Sequence, residues 1–220
     1  MLDRSGYFET VTLSEDDLKR NDMYRANAQR AKAQSRFADY HDYLLSLEMT
    51  AEIGDFSPLY LQRITQLTNK SNQFNLTTKR YTAEQMEAVY NSDEYIRLYG
   101  KLYDKFGDNG VVAVTIGKTD SEDKGRLDIE LWLMSCRVLK RDMELAMLDS
   151  LVAQAKKRGI REIYGHYYPT AKNKMVAGLY ESFGFEKISQ DEECNTAWRL
   201  LVEGYEDKNT VIKVKEEHYA

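Results

Sequence analysis

The sequence predicts an α/β protein, a mixed sheet flanked by helices, and three observations carry that expectation. From residue 57 onward the hydrophobic period switches repeatedly, in the order helix, strand, helix, strands, helix, strand, helix, strands. The stretches VVAVTIGK (111–118) and LDIELWLM (127–134) are β-branched or alternating, as strands are. A long helical pattern from about Arg141 to Arg158 stops at Gly159 and runs straight into REIYGHYY (161–168), a strand–helix–strand order.

Each element has a local cause. GYFETVTL (6–13) is strand-like, and Ser14-Glu15-Asp16-Asp17 reads as a capping box opening a helix toward Ala38, with Leu18, Met23, Tyr24 and Ala28 at helical spacing. FADYHDYLLSLEMTAEI (37–53) continues in helical or mixed style. Nothing before residue 50 builds a core of its own, so residues 1–54 read as an N-terminal arm and 55–220 as the main domain. Ser57-Pro58 is a helix start, serine capping and proline in the first turn, and Leu61, Ile64, Leu67 and Thr68 share a face. NKSNQFNLTT (69–78) follows, with four amides and only two apolar side chains, and FNLTT within it fits a short strand. Thr82 to Gln85 is a second capping box, with Met86, Val89 and Tyr90 inward. YIRLYGKLYDKF (95–106) is a strand, and Asp108-Asn109-Gly110 signals a hairpin turn. A helix over about 171–183 ends at Gly184, and FEKIS and NTAWRLLVE are the last strands.

Composition narrows the function. The 220 residues carry 31 Lys+Arg against 36 Asp+Glu, net charge -5, which argues against a general nucleic-acid binder. No apolar run approaches a membrane span, and no signal-peptide pattern opens the chain, so the expected compartment is cytoplasmic. Cys136 and Cys194 have no metal-ligand spacing and read as buried free thiols. His41, His166 and His218 mark no zinc site, so no metal is expected. The 16 tyrosines point to wet grooves or interfaces as well as core.

The element order, with Asn173 and Tyr180 before YESFGF (180–185), resembles the GNAT acyltransferase fold. The set NKSNQFNLTT, LMSCRVL and PTAKN more specifically resembles the C-terminal half of FkbH-like proteins, which join a haloacid-dehalogenase-type (HAD) phosphatase domain to a GNAT-like domain. LDRSGYFE and LSEDD resemble the end of that phosphatase domain. The Asp-x-Asp-x-Thr nucleophile motif is absent, so the chain reads as beginning after the phosphatase chemistry, with no phosphatase activity of its own.

The resemblance implies a site. GNAT proteins hold the coenzyme A pyrophosphate on backbone N–H groups at the start of the long helix, where free donors and the positive dipole end favour phosphate. The residues there are Arg137, Val138, Leu139, Lys140, Arg141 and Asp142. Arg137 fits the family pattern, whereas Lys140 and Asp142 stand where it has small residues, chiefly glycine. Asp142 opposes phosphate by its charge, or else serves simply as a helix cap. Asn173 belongs to the family's last motif on the cofactor side. Tyr180 takes the position of the acid that protonates the departing thiolate, and Glu130, Asp128 and His166 are alternative bases. Each also has an ordinary reading: a packed tyrosine, solvated strand carboxylates, a satisfied histidine. Asn72, Gln73 and Asn75 either present amides to a substrate or bond a tight turn.

The function this implies is acyl transfer from a coenzyme A or carrier-protein phosphopantetheine thioester to a small biosynthetic acceptor. An acyl carrier protein is the implied partner, with no nucleic acid and no membrane. The alternative is a non-catalytic GNAT-like module that docks a carrier protein or forms a homodimer.

Overall fold

The computed structural model describes residues 15–216, and the strand-like piece and capping serine before residue 15 lie outside them. The chain divides into two units between Tyr43 and Leu44. In the first, α1 (Glu15–Gln34) buries Ala26 and Arg30, whereas Tyr24, expected inward, is 67% exposed and Ala28 is exposed; the Leu18 and Met23 side chains lie outside the described residues. The rings of Phe37 and Tyr40 rest against Tyr43, at 6.1 and 5.6 Å between centroids. The helix α2 (Tyr40–Ser46) ends the arm-like sequence.

The second unit is one mixed sheet. Its strands among the described residues are β1 (Thr50–Asp55), β2 (Phe74–Asn75), β3 (Tyr95–Asp104), β4 (Gly107–Thr119), β5 (Arg126–Met134), β6 (Glu162–Tyr167), β7 (Glu186–Gln190), β8 (Thr196–Leu201) and β9 (Lys213–Glu216). They run in the order β7-β8-β6-β5-β4-β3-β1-β9, with β2 attached to β5. The pairs β5/β6 and β1/β9 are parallel, and the others antiparallel. The expected boundary at residue 54 therefore falls inside a strand. Four alternating residues fit a helix end as well as a strand, and only pairing with β3 decides between them.

The helices α3 (Pro58–Lys70) and α4 (Ala83–Tyr90) begin as their sequences dictate. The Ser57 hydroxyl accepts from Leu59 N–H with Pro58 in the first turn, and Thr82 and Gln85 exchange both bonds of a capping box. Ile64, Leu67, Met86 and Val89 pack with Val114, Ile116, Leu131 and Leu133 into a core on one face. On the other face α5 (Met143–Lys157) buries Met143, Ala146, Met147, Leu148, Leu151, Val152 and Ala155. Its close approach depends on Gly100, where a Cβ would stand 2.3 Å from Met143 Cε and 2.8 Å from Met147 Sδ. As the crossover joining β5 to β6, α5 is the long connection that parallel neighbours need.

Three local expectations are corrected. The β3–β4 turn is Lys105-Phe106, because Asn109 is drawn inside the ladder, donating to Leu102 O and Asp104 Oδ2 at 3.2 Å each. The helix expected over 171–183 is broken into a 3-10 turn (Lys174–Val176) and a single turn, α6 (Leu179–Ser182). Both cysteines are exposed and free, Cys136 where the chain leaves β5 and Cys194 in the β7–β8 turn at φ 63.

Candidate active site

The site is built around a divergence in the sheet. β5 pairs with β6 only from Arg126 to Asp128, against Glu162 to Tyr164, although both strands run on. At the point of divergence, β4 advances one residue, Ile116 to Gly117, while β5 advances two, Leu131 to Ile129. Glu130 is thus the extra residue of a β-bulge, which bends the strand and increases its twist. This is why the alternation read from LDIELWLM does not hold through the strand. Glu130 accepts from the Tyr81 hydroxyl, and Leu131 belongs to the same core cluster as the Tyr81 ring. Beyond the bulge, β5 and β6 enclose a wedge.

The second half of the polar segment, Phe74 to Thr77, lies in that wedge, while Asn69 and Lys70 still belong to α3. Phe74 and Asn75 pair antiparallel with Met134 and Leu133. Leu76 N–H donates to Trp132 O at 3.2 Å, and Tyr168 N–H donates to Leu76 O at 2.9 Å. The Thr77 hydroxyl donates to Glu130 O at 2.7 Å. The amides predicted to greet a substrate mostly serve this segment. Asn75 is fully buried, accepting from Thr78 N–H at 2.9 Å and donating to Ser71 O at 3.3 Å, and Asn72 accepts from Arg80. Gln73 alone of the three is exposed.

Two predicted bases meet one another here. His166 Nε2 lies 3.1 Å from Asp128 Oδ1, both partly exposed. Arg126 grips the same carboxylate with two bonds, 2.8 and 2.7 Å, and stacks its guanidinium 3.9 Å from the Tyr164 ring centre. Burial pushes the Asp128 carboxyl up, but the bonds from His166 and Arg126 outweigh it and hold the group below its ordinary value. In the neutral tautomer that donates from Nε2 to Asp128, the His166 lone pair is on Nδ1. Glu130 is a separate group, bound by Lys79 Nζ at 2.6 Å and by the Tyr81 hydroxyl at 3.1 Å.

Tyr180 stands across β6 from the His166 side chain. Its ring covers Gly165, where a Cβ would come within 2.3 Å of it, and neighbours Trp132, Phe185 and Trp198. The hydroxyl is buried without a hydrogen bond of acceptable geometry. Burial raises its pKa, with the His166 backbone opposing and the nearby Tyr168 adding to the rise, so the phenol keeps its proton. Asn173, also fully buried, spends its whole amide on the chain. It donates to Asn75 O at 2.9 Å and Tyr168 O at 3.0 Å, and accepts from Thr170 N–H and Oγ1 at 2.7 and 2.9 Å. With the helix broken, Asn173 and Tyr180 do not share one helical face.

The loop before α5 has the backbone of a glycine loop without the glycines. Lys140 and Asp142 adopt φ of 62 and 59, the left-handed region that glycine enters freely. Asp142 occupies the N-cap position but makes no side-chain cap bond, so its expected capping role is corrected: in that conformation its carboxylate does not bond the first-turn N–H groups. Val138 is fully buried and Leu139 partly so. Arg141 turns inward to Asp104 Oδ2 at 3.1 Å and Asn109 Oδ1 at 3.4 Å, and ties the loop by a 2.9 Å bond to Arg137 O. Arg137 Nε donates to Ser135 Oγ at 3.2 Å. Arg63 on α3, which sequence reasoning missed, is half-buried; burial and then the Arg137 charge lower its pKa. In the first turn of α5, burial raises the Glu144 carboxyl to about 7, and Oε2 has no partner. Arg126 had a legible signal, lying two residues from Asp128 on one strand face; nothing marked Arg63 or Glu144.

By sequence, no protein family matches the chain, and no curated protein does. By structure it is similar to many acetyltransferases. The ribosomal-protein-S18-alanine N-acetyltransferase of Escherichia coli superposes with TM-score 0.53 at 12% identity, over 73% of this chain and 99% of that one. The GNAT domain of S. lividans PAT does so with TM-score 0.53 at 14% identity, over 68% and 89%. YncA of Salmonella typhimurium, solved with its cofactor acetyl-CoA, gives TM-score 0.53 at 13% identity, over 72% and 96%. The fold is that of the GNAT acyltransferases. Among the described residues no helix is long and apolar enough to cross a membrane, and no group of three or more His, Cys, Asp or Glu could hold a metal ion.

Proposed function

We propose that this chain is an acyltransferase domain that moves an acyl group from a coenzyme A or carrier-protein phosphopantetheine thioester to a small biosynthetic acceptor. The carrying observation is the 3.1 Å His166–Asp128 pair on the open face of β5 and β6, where the wedge begins. Asp128 orients the imidazole, Nδ1 is the atom that takes a proton from an acceptor amine or hydroxyl, and Tyr180 holds a proton at Oη on the other side of β6. The sequence resemblance to FkbH-like proteins supports a biosynthetic acceptor, an acyl carrier protein as partner, and an arm derived from a HAD-type phosphatase domain.

The thioester's own groups fit this conformation only in part. Arg137 and Arg63 supply positive charge, and the backbone at Lys140 and Asp142 has the shape a phosphate loop needs. Against that, Asp142 and Glu144 set carboxyls at the helix end, and the β5 edge is paired with Phe74–Asn75. A pantetheine arm therefore does not fit the wedge as it stands, and these same features favour the second reading, a non-catalytic module that docks a carrier protein or dimerises.

The experiment is acyl transfer from acetyl-CoA and from an acyl carrier thioester to a panel of small amines and alcohols, comparing wild type with His166→Gln and Asp128→Asn. General-base loss in His166→Gln lowers kcat by roughly a hundredfold or more. Full activity in that variant overturns the base assignment, and no transfer by wild type with any donor leaves the docking module.

A further inference from the structure

We propose that Phe74–Thr77 is an inhibitory strand, which shuts the β5/β6 wedge and is exchanged for an extended-chain ligand before the wedge can work. The inference rests on the acyl-transfer reading for the identity of that ligand, a thioester arm, but the geometry stands without it. Once the bulge at Glu130 parts β5 from β6, the β5 edge from Leu131 to Met134 presents backbone groups that need an extended partner. The chain itself supplies one, of only two paired residues, through Phe74, Asn75 and Leu76. An incoming chain with amide N–H and C=O groups can bond the same edge, so exchange replaces part of the hydrogen bonding that β2 gives β5.

What holds the strand and what opposes it are both visible. Phe74 and Leu76 are buried, and Asn173 latches Asn75 O while Tyr168 N–H latches Leu76 O. Against this stands Thr78, which has φ 56, a conformation that disfavours a β-branched residue. Strain thus sits immediately beside the segment that has to move. The latch also accounts for Asn173: a fully buried amide, bonded at every position, joins the inserted strand to the loop after β6.

The first test needs no ligand. Hydrogen exchange on the full chain reads the Leu76 and Tyr168 amides against that of Ile116 in the middle of β4. The expected result is exchange at least a hundredfold faster at Leu76 and Tyr168, through local opening. Exchange at the Ile116 rate means the strand leaves only on global unfolding, and overturns the proposal. The second test is calorimetric titration of acetyl-CoA into wild type, Leu76→Ala and Leu76→Gly. Loosening the strand tightens binding at least tenfold in Leu76→Gly; unchanged or weaker binding in folded protein overturns the proposal. Tight binding and turnover by wild type with Leu76 still protected would overturn the strand exchange while sparing acyl transfer. Fast exchange and tightened binding without turnover would sink acyl transfer while sparing the strand exchange.

Discussion

Glu144→Gln tests the electrostatics of the α5 start directly. The folded carboxyl keeps its proton to about pH 7, against an ordinary 4.5, chiefly through burial, with Asp142 adding to the shift and the residue's own backbone N–H opposing it. Unfolded, the group ionises near its ordinary value. Between those two pH values the unfolded chain binds fewer protons than the folded one, so stability falls as pH rises through the window and levels off above it. A shift of this size corresponds to about 3 kcal/mol, at 1.36 kcal/mol for each pH unit. Glutamine keeps the shape and the unpartnered oxygen but cannot ionise. The variant should match wild type at pH 4 and exceed it at pH 8 by about 1–3 kcal/mol. At roughly 2–4 °C for each kcal/mol in a chain of this size, the melting temperature at pH 8 should rise by about 2–12 °C. Thermal melts at pH 4, 6 and 8 measure both. Parallel pH profiles for the two proteins, or no gain at pH 8, would show that Glu144 ionises freely and refute the buried-carboxyl argument.

The remaining predictions concern its neighbours. Asp142→Gly relieves a left-handed residue and removes a carboxylate from the helix end, so it should raise stability by about 1 kcal/mol and tighten acetyl-CoA binding; unchanged affinity by calorimetry would remove the loop from phosphate binding. Tyr180→Phe deletes a hydroxyl that makes no hydrogen bond, so melting should be unaffected while transfer slows roughly ten- to a thousandfold. Wild-type turnover in that variant would exclude the phenol as the acid. Asp104→Ala removes the carboxylate 3.1 Å from the buried Arg141 guanidinium and should cost about 3–5 kcal/mol in urea denaturation, and a loss below about 1 kcal/mol, the exposed-pair range, would mean the pair is effectively solvated.

The sequence by itself determined the elements whose causes are local. Ser57-Pro58, the Thr82–Gln85 box and the Gly159 stop act within one turn of their helices, and all three sit where their residues predict. The same holds for VVAVTIGK and REIYGHYY, whose periods declare strands. It also named Asp128, Glu130, His166, Tyr180 and Asn173 as worth watching. Only the tertiary structure decided what they do together. His166 reaches Asp128 across 38 positions of sequence because β5 and β6 pair in one parallel register, and no residue spells out that register. The Glu130 bulge is an offset between two strands, visible in neither alone. NKSNQFNLTT reads as a polar loop because its amides are polar, yet its backbone fills a gap in the sheet. Backbone N–H and C=O groups are the same in nearly every residue, so the bonds that place β2 on β5 leave no mark in the side-chain pattern. That is why the elements were legible one at a time, and why the wedge and the strand inside it were not.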